Sequence, residues 1–153
     1  MIELYRRFRA LDPTDRRLIV EAAVLMSAVR LTLAVISFPR LQRLLDRYVR
    51  SALRADSEAI SITSSEVGRI AWAISASAER LPVSMSCFVR ALTADAMLRH
   101  RGLASKIRIG VREANCPDFS LEAHAWVECN GQVVIGSMTN LIDYAVLSAR
   151  SQP

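Results

Sequence analysis

The sequence predicts an α+β fold in which a helical N-terminal half packs on a small antiparallel sheet. Three observations predict it. Apolar residues recur at helical spacing up to about His100, the period changes to strict alternation beyond Gly102, and Asn130-Gly131 joins two alternating runs, the strongest short hairpin signal. With 153 residues the chain can close one hydrophobic core, so a single domain over 1–153 is expected, with 1–81 as its helical part and 82–153 as a further helix and the sheet.

The elements follow in order. Asp12-Pro13-Thr14 is a helix start, with Asp12 or Thr14 able to accept from first-turn amides, and the helix runs to about Ile36 before Ser37-Phe38-Pro39 breaks it. A basic helix from about Arg40 to Arg54 puts Leu41, Leu44, Leu45, Tyr48 and Leu53 on one side and its arginines towards water. Asp56 to Ser61 reads as a polar connection. Ser64 or Ser65 with Glu66 opens a third helix through Ile70, Ala71, Ile74 and Ala78, stopped at Leu81-Pro82, and its Trp72 is read as core. A fourth helix carries Cys87, with Ser84 or Ser86 as cap, Phe88, Val89, Leu92 and Ala96 inward, and Arg90, Thr93 and Arg99 outward. Gly102 is its left-handed stop. Lys106 to Arg112 alternates as a half-buried strand, Glu113 to Ser120 is a loop, and Ala123 to Cys129 pairs through the hairpin with Gln132 to Ile135.

Composition narrows the function classes. At 52% hydrophobic and 23% charged the chain is globular in composition, and its net charge of +5 comes mainly from arginine. The arginines lie in clusters at Arg6-Arg7-Arg9, Arg16-Arg17, Arg40 to Arg54 and Arg99 to Arg101, a balance that favours an acidic partner but is mostly that of solvated helix faces. They carry no nucleic-acid reading motif, so no nucleic-acid partner is expected. Cys87, Cys116 and Cys129 form no CxxC pair, and His100 and His124 are the only histidines, so neither a disulfide scaffold nor a metal site is expected. There is no glycine-rich phosphate loop, and no cofactor is expected. The apolar run from Leu18 to Ile36 is interrupted by Glu21 and Arg30, which favours a buried helix over a membrane span. Without a signal peptide, a cytoplasmic location is expected.

Two residues carry possible chemistry. Cys87 falls in the first turn of a helix, where free amides and the helix dipole favour a thiolate. A buried thiol that only fills the core is the alternative. A nucleophilic cysteine needs a base, and histidine exchanges protons near neutral pH. Alternation places His124, Trp126 and Glu128 on one face of their strand and Ala123, Ala125, Val127 and Cys129 on the other, so Cys129 reads as packing and His124 as a group turned away from the aliphatic core. His100 reads as a cation at a helix C-terminus. A regular two-residue hairpin pairs Cys129 with Gln132, Trp126 with Ile135 and His124 with Ser137, which makes Ser137 the group best placed to orient His124.

The motifs Cys-Phe-Val-Arg-Ala-Leu at 87–92, Arg101-Gly102-Leu103-Ala104 leading into Ile107 to Val111, and His-Ala-Trp-Val-Glu at 124–128 before Asn130-Gly131 resemble one family. It is the transglutaminase-like leader peptidases of lasso-peptide biosynthesis. Leu11-Asp12, Arg16-Arg17-Leu18 and Phe38-Pro39-Arg40 are similar too, so nearly the whole chain is covered. The resemblance implies a papain-like cysteine protease core that cuts the leader from a ribosomally made precursor peptide, with Cys87 as nucleophile and His124 as base. It also implies an orienting aspartate on the strand after the histidine, where this sequence has Gly136-Ser137. Asp143 is the candidate third member as the only downstream aspartate, with Ser137 and Asn140 as alternatives. The chain is expected to be the stand-alone form, served by a separate leader-recognition protein and followed by an ATP-dependent macrolactam cyclase. Acyl transfer to an amine through the same thioester, and a noncatalytic scaffold in a peptide-maturation complex, are the competing readings.

Overall fold

The structure, a computed structural model, describes residues 6, 8–53, 64–113 and 121–149. The 56–61 connection, Cys116, the 114–120 part of the expected loop and the side chain of Leu53 lie outside the described residues.

Helix α1 (Pro13–Val35) starts where the sequence places it. Asp12 accepts from the Thr14 amide at 2.8 Å, and Pro13 takes the first helical position, where its missing N–H costs nothing. At 23 residues α1 is long and apolar enough to cross a bilayer by length and composition. Its Leu18, Ala22, Met26 and Val29 are buried, whereas Val20, Val24, Leu31 and Val35 are exposed. The two charges that interrupt the run both have partners. Arg30 donates to the Ser84 carbonyl at 3.0 Å, and Glu21 accepts from the Tyr48 hydroxyl and from Arg101 at 2.6 and 3.1 Å. Burial pushes the Glu21 carboxyl up, but the hydrogen bonds from Arg101 and Tyr48 outweigh it and hold the group below its usual range.

Helix α2 (Phe38–Leu53) starts earlier than the sequence suggests, because Pro39 is compatible with a first turn whose amides lack helical acceptors anyway. Leu41, Leu45 and Val49 are buried at four-residue spacing. Leu44 lies one position round from that stripe and is exposed, contrary to the expected grouping. Helix α3 (Ser64–Ala78) buries Ile70, Ala73, Ile74 and Ser77, and this arc leaves Trp72 on the opposite side. Trp72 is therefore 44% exposed and is not core.

Helix α4 (Cys87–His100) is central, packed on the other three helices and on the sheet. Burial extends around most of its circumference, so Thr93, expected to face outward, is fully buried. Its hydroxyl donates back to the Val89 carbonyl at 2.9 Å, which satisfies the buried group. The helix stops with Leu103 N on Leu98 O and Gly102 at φ +76°, a left-handed turn that glycine adopts without steric cost. At that end the His100 ring stacks on Tyr48 at 4.2 Å and its Nδ1 lies 3.0 Å from the Tyr48 carbonyl, so it ties α4 to α2 besides standing near a helix C-terminus.

The sheet contains β1 (Ser105–Glu113), β2 (Leu121–Cys129), β3 (Gln132–Ile135) and β4 (Ala145–Ala149) in the order β3-β2-β1-β4. Every pairing is antiparallel. β4 follows a short 3-10 turn, Leu141–Asp143, and has no counterpart in the sequence reading. Ile107, Ile109, Ala125, Val127, Cys129 and Ile135 join the helical core from one face of the sheet.

The hairpin departs from the regular register. Cys129 pairs with Gln132 as expected, but a bulge then brings Val127 opposite Ile135 in place of Trp126. The extra residue turns Ile135 to the core face, where it is buried, and removes the expected His124–Ser137 pair.

Candidate active site

Cys87 is the first residue of α4 and follows its cap, Ser86, whose hydroxyl accepts from the Val89 amide at 3.3 Å. The thiol is free, half-buried and packed against the edge of the core. Phe88 beside it meets Phe38 at the start of α2, with ring centroids 5.6 Å apart. Cys129 is also free, but it is 3% exposed on the core face, and burial pushes its thiol up, which suits packing.

His124 lies on β2 opposite Gly110 of β1. Its Nε2 is 2.8 Å from the Gly136 carbonyl oxygen. A carbonyl only accepts, so Nε2 carries the proton of the neutral ring and Nδ1 is left as the basic atom. Two aromatic rings confine the imidazole. Trp126 lies stacked at 6.2 Å and Tyr144 tilted at 5.7 Å. The Arg112 guanidinium lies 5.1 Å over the Tyr144 ring and donates to Glu122 at 2.6 and 2.8 Å. Those hydrogen bonds from Arg112 hold the Glu122 carboxyl below its usual range. Trp126 in turn donates its indole N–H to Glu128 at 3.2 Å, and Glu128 accepts from Arg108 at 3.0 Å.

Two glycines make this arrangement possible. A Cβ on Gly110 would lie 2.9 Å from the Tyr144 Cβ and 3.0 Å from the Trp126 ring, so only a bare backbone lets both aromatics close over β1. Gly136 has φ +79°, and a Cβ there would lie 2.8 Å from the Ala125 carbonyl oxygen. That backbone turn brings the Gly136 carbonyl to the histidine.

The orienting hydrogen bond sought from a side chain thus goes to the main chain. Asp143 stands exposed in the 3-10 turn, Ser137 is exposed, and Asn140 precedes the turn with no side-chain cap bond. None of the three hydrogen-bonds to His124. Asp143 reaches the site only as the neighbour of Tyr144. Gly136 and Tyr144 were missed because one acts through a carbonyl that every residue has and the other is a lone tyrosine after an irregular segment. Gly110 did leave a signal, as the single glycine inside an alternating strand.

Helix and sheet geometry relates the two reactive groups. The Ser105 hydroxyl donates to Asp95 at 2.7 Å, which ties the start of β1 to the middle of α4. Going back from Asp95 to Cys87 the helix rises about 12 Å, and β1 covers the same distance near Arg108 and Ile109. The β2 partners of Arg108 and Ile109 are Trp126 and Ala125, next to His124 in the strand, so His124 lies near the Cys87 level of the layers, on the sheet face opposite the one that joins the helical core. No hydrogen bond joins them among the described residues.

A capped cysteine opens the central helix, and an oriented histidine lies on an antiparallel strand, the two residue types that thiol chemistry through an acyl intermediate uses. The model of the transglutaminase-like superfamily matches residues 27–149, and the chain belongs to that superfamily. The match spans α2, α3, α4 and all four strands. It confirms the α+β, transglutaminase-like class read from the sequence, in a superfamily that includes cysteine peptidases and acyltransferases. No curated protein and no solved structure gives a match.

Proposed function

We propose that this member is a cysteine peptidase that removes the leader from a ribosomally made lasso-peptide precursor. It acts in the cytoplasm beside a separate leader-recognition protein and an ATP-dependent macrolactam cyclase. The observation that supports the peptidase reading is the His124 Nε2 contact with the Gly136 carbonyl, which leaves Nδ1 as the basic atom, in a chain whose central helix opens on Cys87. The precursor and the partners rest on the resemblance of the Cys87 helix and the His-Ala-Trp-Val-Glu strand to leader peptidases.

In this reading His124 Nδ1 takes the Cys87 proton and Sγ attacks the scissile carbonyl carbon, with the resulting oxyanion held by first-turn amides of α4 that have no intrahelical acceptor. The C–N bond then breaks, the leaving amine takes the proton from His124, and a thioester remains on Cys87. Water loses a proton to His124, adds to the thioester and releases the carboxylate, while Cys87 recovers its proton.

The test is precursor processing followed by mass spectrometry with the leader-recognition protein present. Wild-type protein should give a cut leader bearing the elements of water, and Cys87→Ala should give no detectable cleavage. Continued cleavage by Cys87→Ala overturns the reading, and amide formation with an added amine in place of hydrolysis would assign acyl transfer.

A further inference from the structure

Arginine is used in two distinct ways in this fold. Arg69, Arg99, Arg101, Arg108 and Arg112 each reach a carboxylate, at 2.7, 3.2, 2.6, 3.0 and 2.6 Å respectively. Arg40, Arg43, Arg47 and Arg50 of α2 are exposed and reach no carboxylate among the described residues. At 100° per residue these four fall within an arc of roughly 80° along about 15 Å of helix. The one acid of α2, Asp46, lies at the edge of this arc beside Arg50, and its carboxylate is held by Arg99 at 3.2 Å. Four cations in a row on one face repel one another, and none of the four is paired with a carboxylate among the described residues.

The place of this face in the fold gives it a direction. α2 runs alongside α4, with Phe38 against Phe88 at one end and Tyr48 against His100 at the other. The arginine row therefore begins beside the turn that carries Cys87 and leads away from it. Leu44, 46% exposed, lies next to Arg40 and Arg47, while the aromatic Tyr48 is turned inward to Glu21 and His100. Guanidinium groups with an apolar side chain among them, and no aromatic residue within the arginine arc, suit a polypeptide better than a nucleic acid.

We propose that the α2 face of Arg40, Arg43, Arg47 and Arg50 is a docking track for an acidic segment of the polypeptide substrate, close in sequence to the bond presented to Cys87. The proposal rests on the reading of Cys87 as a nucleophile acting on a peptide, and it adds the substrate's chemistry. Charge complementarity drives it, so it weakens as salt screens the face beyond the Debye length of about 10 Å at 0.1 M.

The test uses Cys87→Ala protein, so that binding is read without turnover. A fluorescein-labelled hexaglutamate peptide is titrated by anisotropy at low salt against this protein and against two further forms, one with Arg43→Glu and Arg47→Glu and one with Arg43→Lys and Arg47→Lys. The glutamate pair should weaken binding about tenfold or more, while the lysine pair stays within about threefold. Circular dichroism melts identify any variant that is not folded, in which case Arg40→Gln with Arg50→Gln takes its place with the same expected direction. Absence of hexaglutamate binding, equal binding by the charge-reversed protein, or tighter binding of a single-stranded DNA oligonucleotide to the same face each overturns the proposal. Loss of precursor cleavage in the active-site variants with peptide binding intact separates this result from the peptidase reading, and the converse would reject the track alone.

Discussion

Cys87 is held by a helix cap and by apolar contacts, with no hydrogen bond to its thiol among the described residues, whereas His124 is fixed from several sides. The Gly136 carbonyl accepts a hydrogen bond from Nε2–H, Trp126 and Tyr144 confine the ring, and Arg112, Glu122, Arg108 and Glu128 brace those aromatics from the same face of the sheet. The proposed base, His124, is thus set to one tautomer before any substrate arrives, while the proposed nucleophile, Cys87, is as firm as the end of its helix. Mutations on the histidine side should act on rate through orientation, and mutations on the cysteine side should act through stability of the turn.

The largest expected effect tests the histidine side directly. In Gly136→Ala the methyl group meets the Ala125 carbonyl and the backbone leaves its positive φ, so the carbonyl no longer holds Nε2. Losing the tautomer-setting partner of a catalytic histidine can cost up to about four orders of magnitude. Because the aromatic rings remain, we expect a loss of about 100-fold in the cleavage rate. Nitrogen-15 spectra of the His124 ring should change with it. Cleavage within about threefold of wild type, with unchanged ring nitrogen shifts, would remove Gly136 from the orienting role.

The contrast also explains what could be read from the sequence. Helices α1 to α4, β1 and the Asn130-Gly131 hairpin follow from periodicity, caps and turn chemistry, all of which are properties of side chains in order. Cys87 at a helix start and His124 on the face away from Ala125 and Val127 were legible for the same reason. The bulge was not, because it trades one strand pairing for the burial of Ile135, a gain visible only once helices cover the sheet. Thr93 and Trp72 exchanged their expected environments on similar grounds, since α4 is surrounded and α3 is not. The Gly136 carbonyl has no letter of its own. A search among the side chains of Asp143, Ser137 and Asn140 therefore could not find it.

A smaller effect is expected where α4 is anchored at the end away from Cys87. Glu21 joins α1 to Arg101 after α4 and to Tyr48 of α2, and its side chain is only 26% exposed. Its folded-state carboxyl lies below the ordinary value of 4.5, so its contribution to stability is complete above that pH and is lost as the pH falls through the folded value. Glu21→Gln should cost about 1–2 kcal/mol at pH 7, and the gap to wild type should narrow as the pH falls below 4.5 and through the folded value. Urea titrations at both pH values measure it. A gap independent of pH would mean that packing, and not the charge, accounts for the loss.

The smallest effect sharpens the comparison from the cysteine side. Ser86→Ala removes the acceptor for the Val89 amide and should cost about 1 kcal/mol, or roughly 2–4 °C in the melting temperature. Ser86→Asp keeps an acceptor at the cap and should recover most of it. The ring nitrogen shifts of His124 should stay at their wild-type values in both variants, because Gly136, Trp126 and Tyr144 do not depend on the cap. A change in the His124 shifts in Ser86→Ala would mean that the two groups are mechanically coupled across the helix and sheet layers, and the division between a softly held nucleophile and a firmly held base would fail.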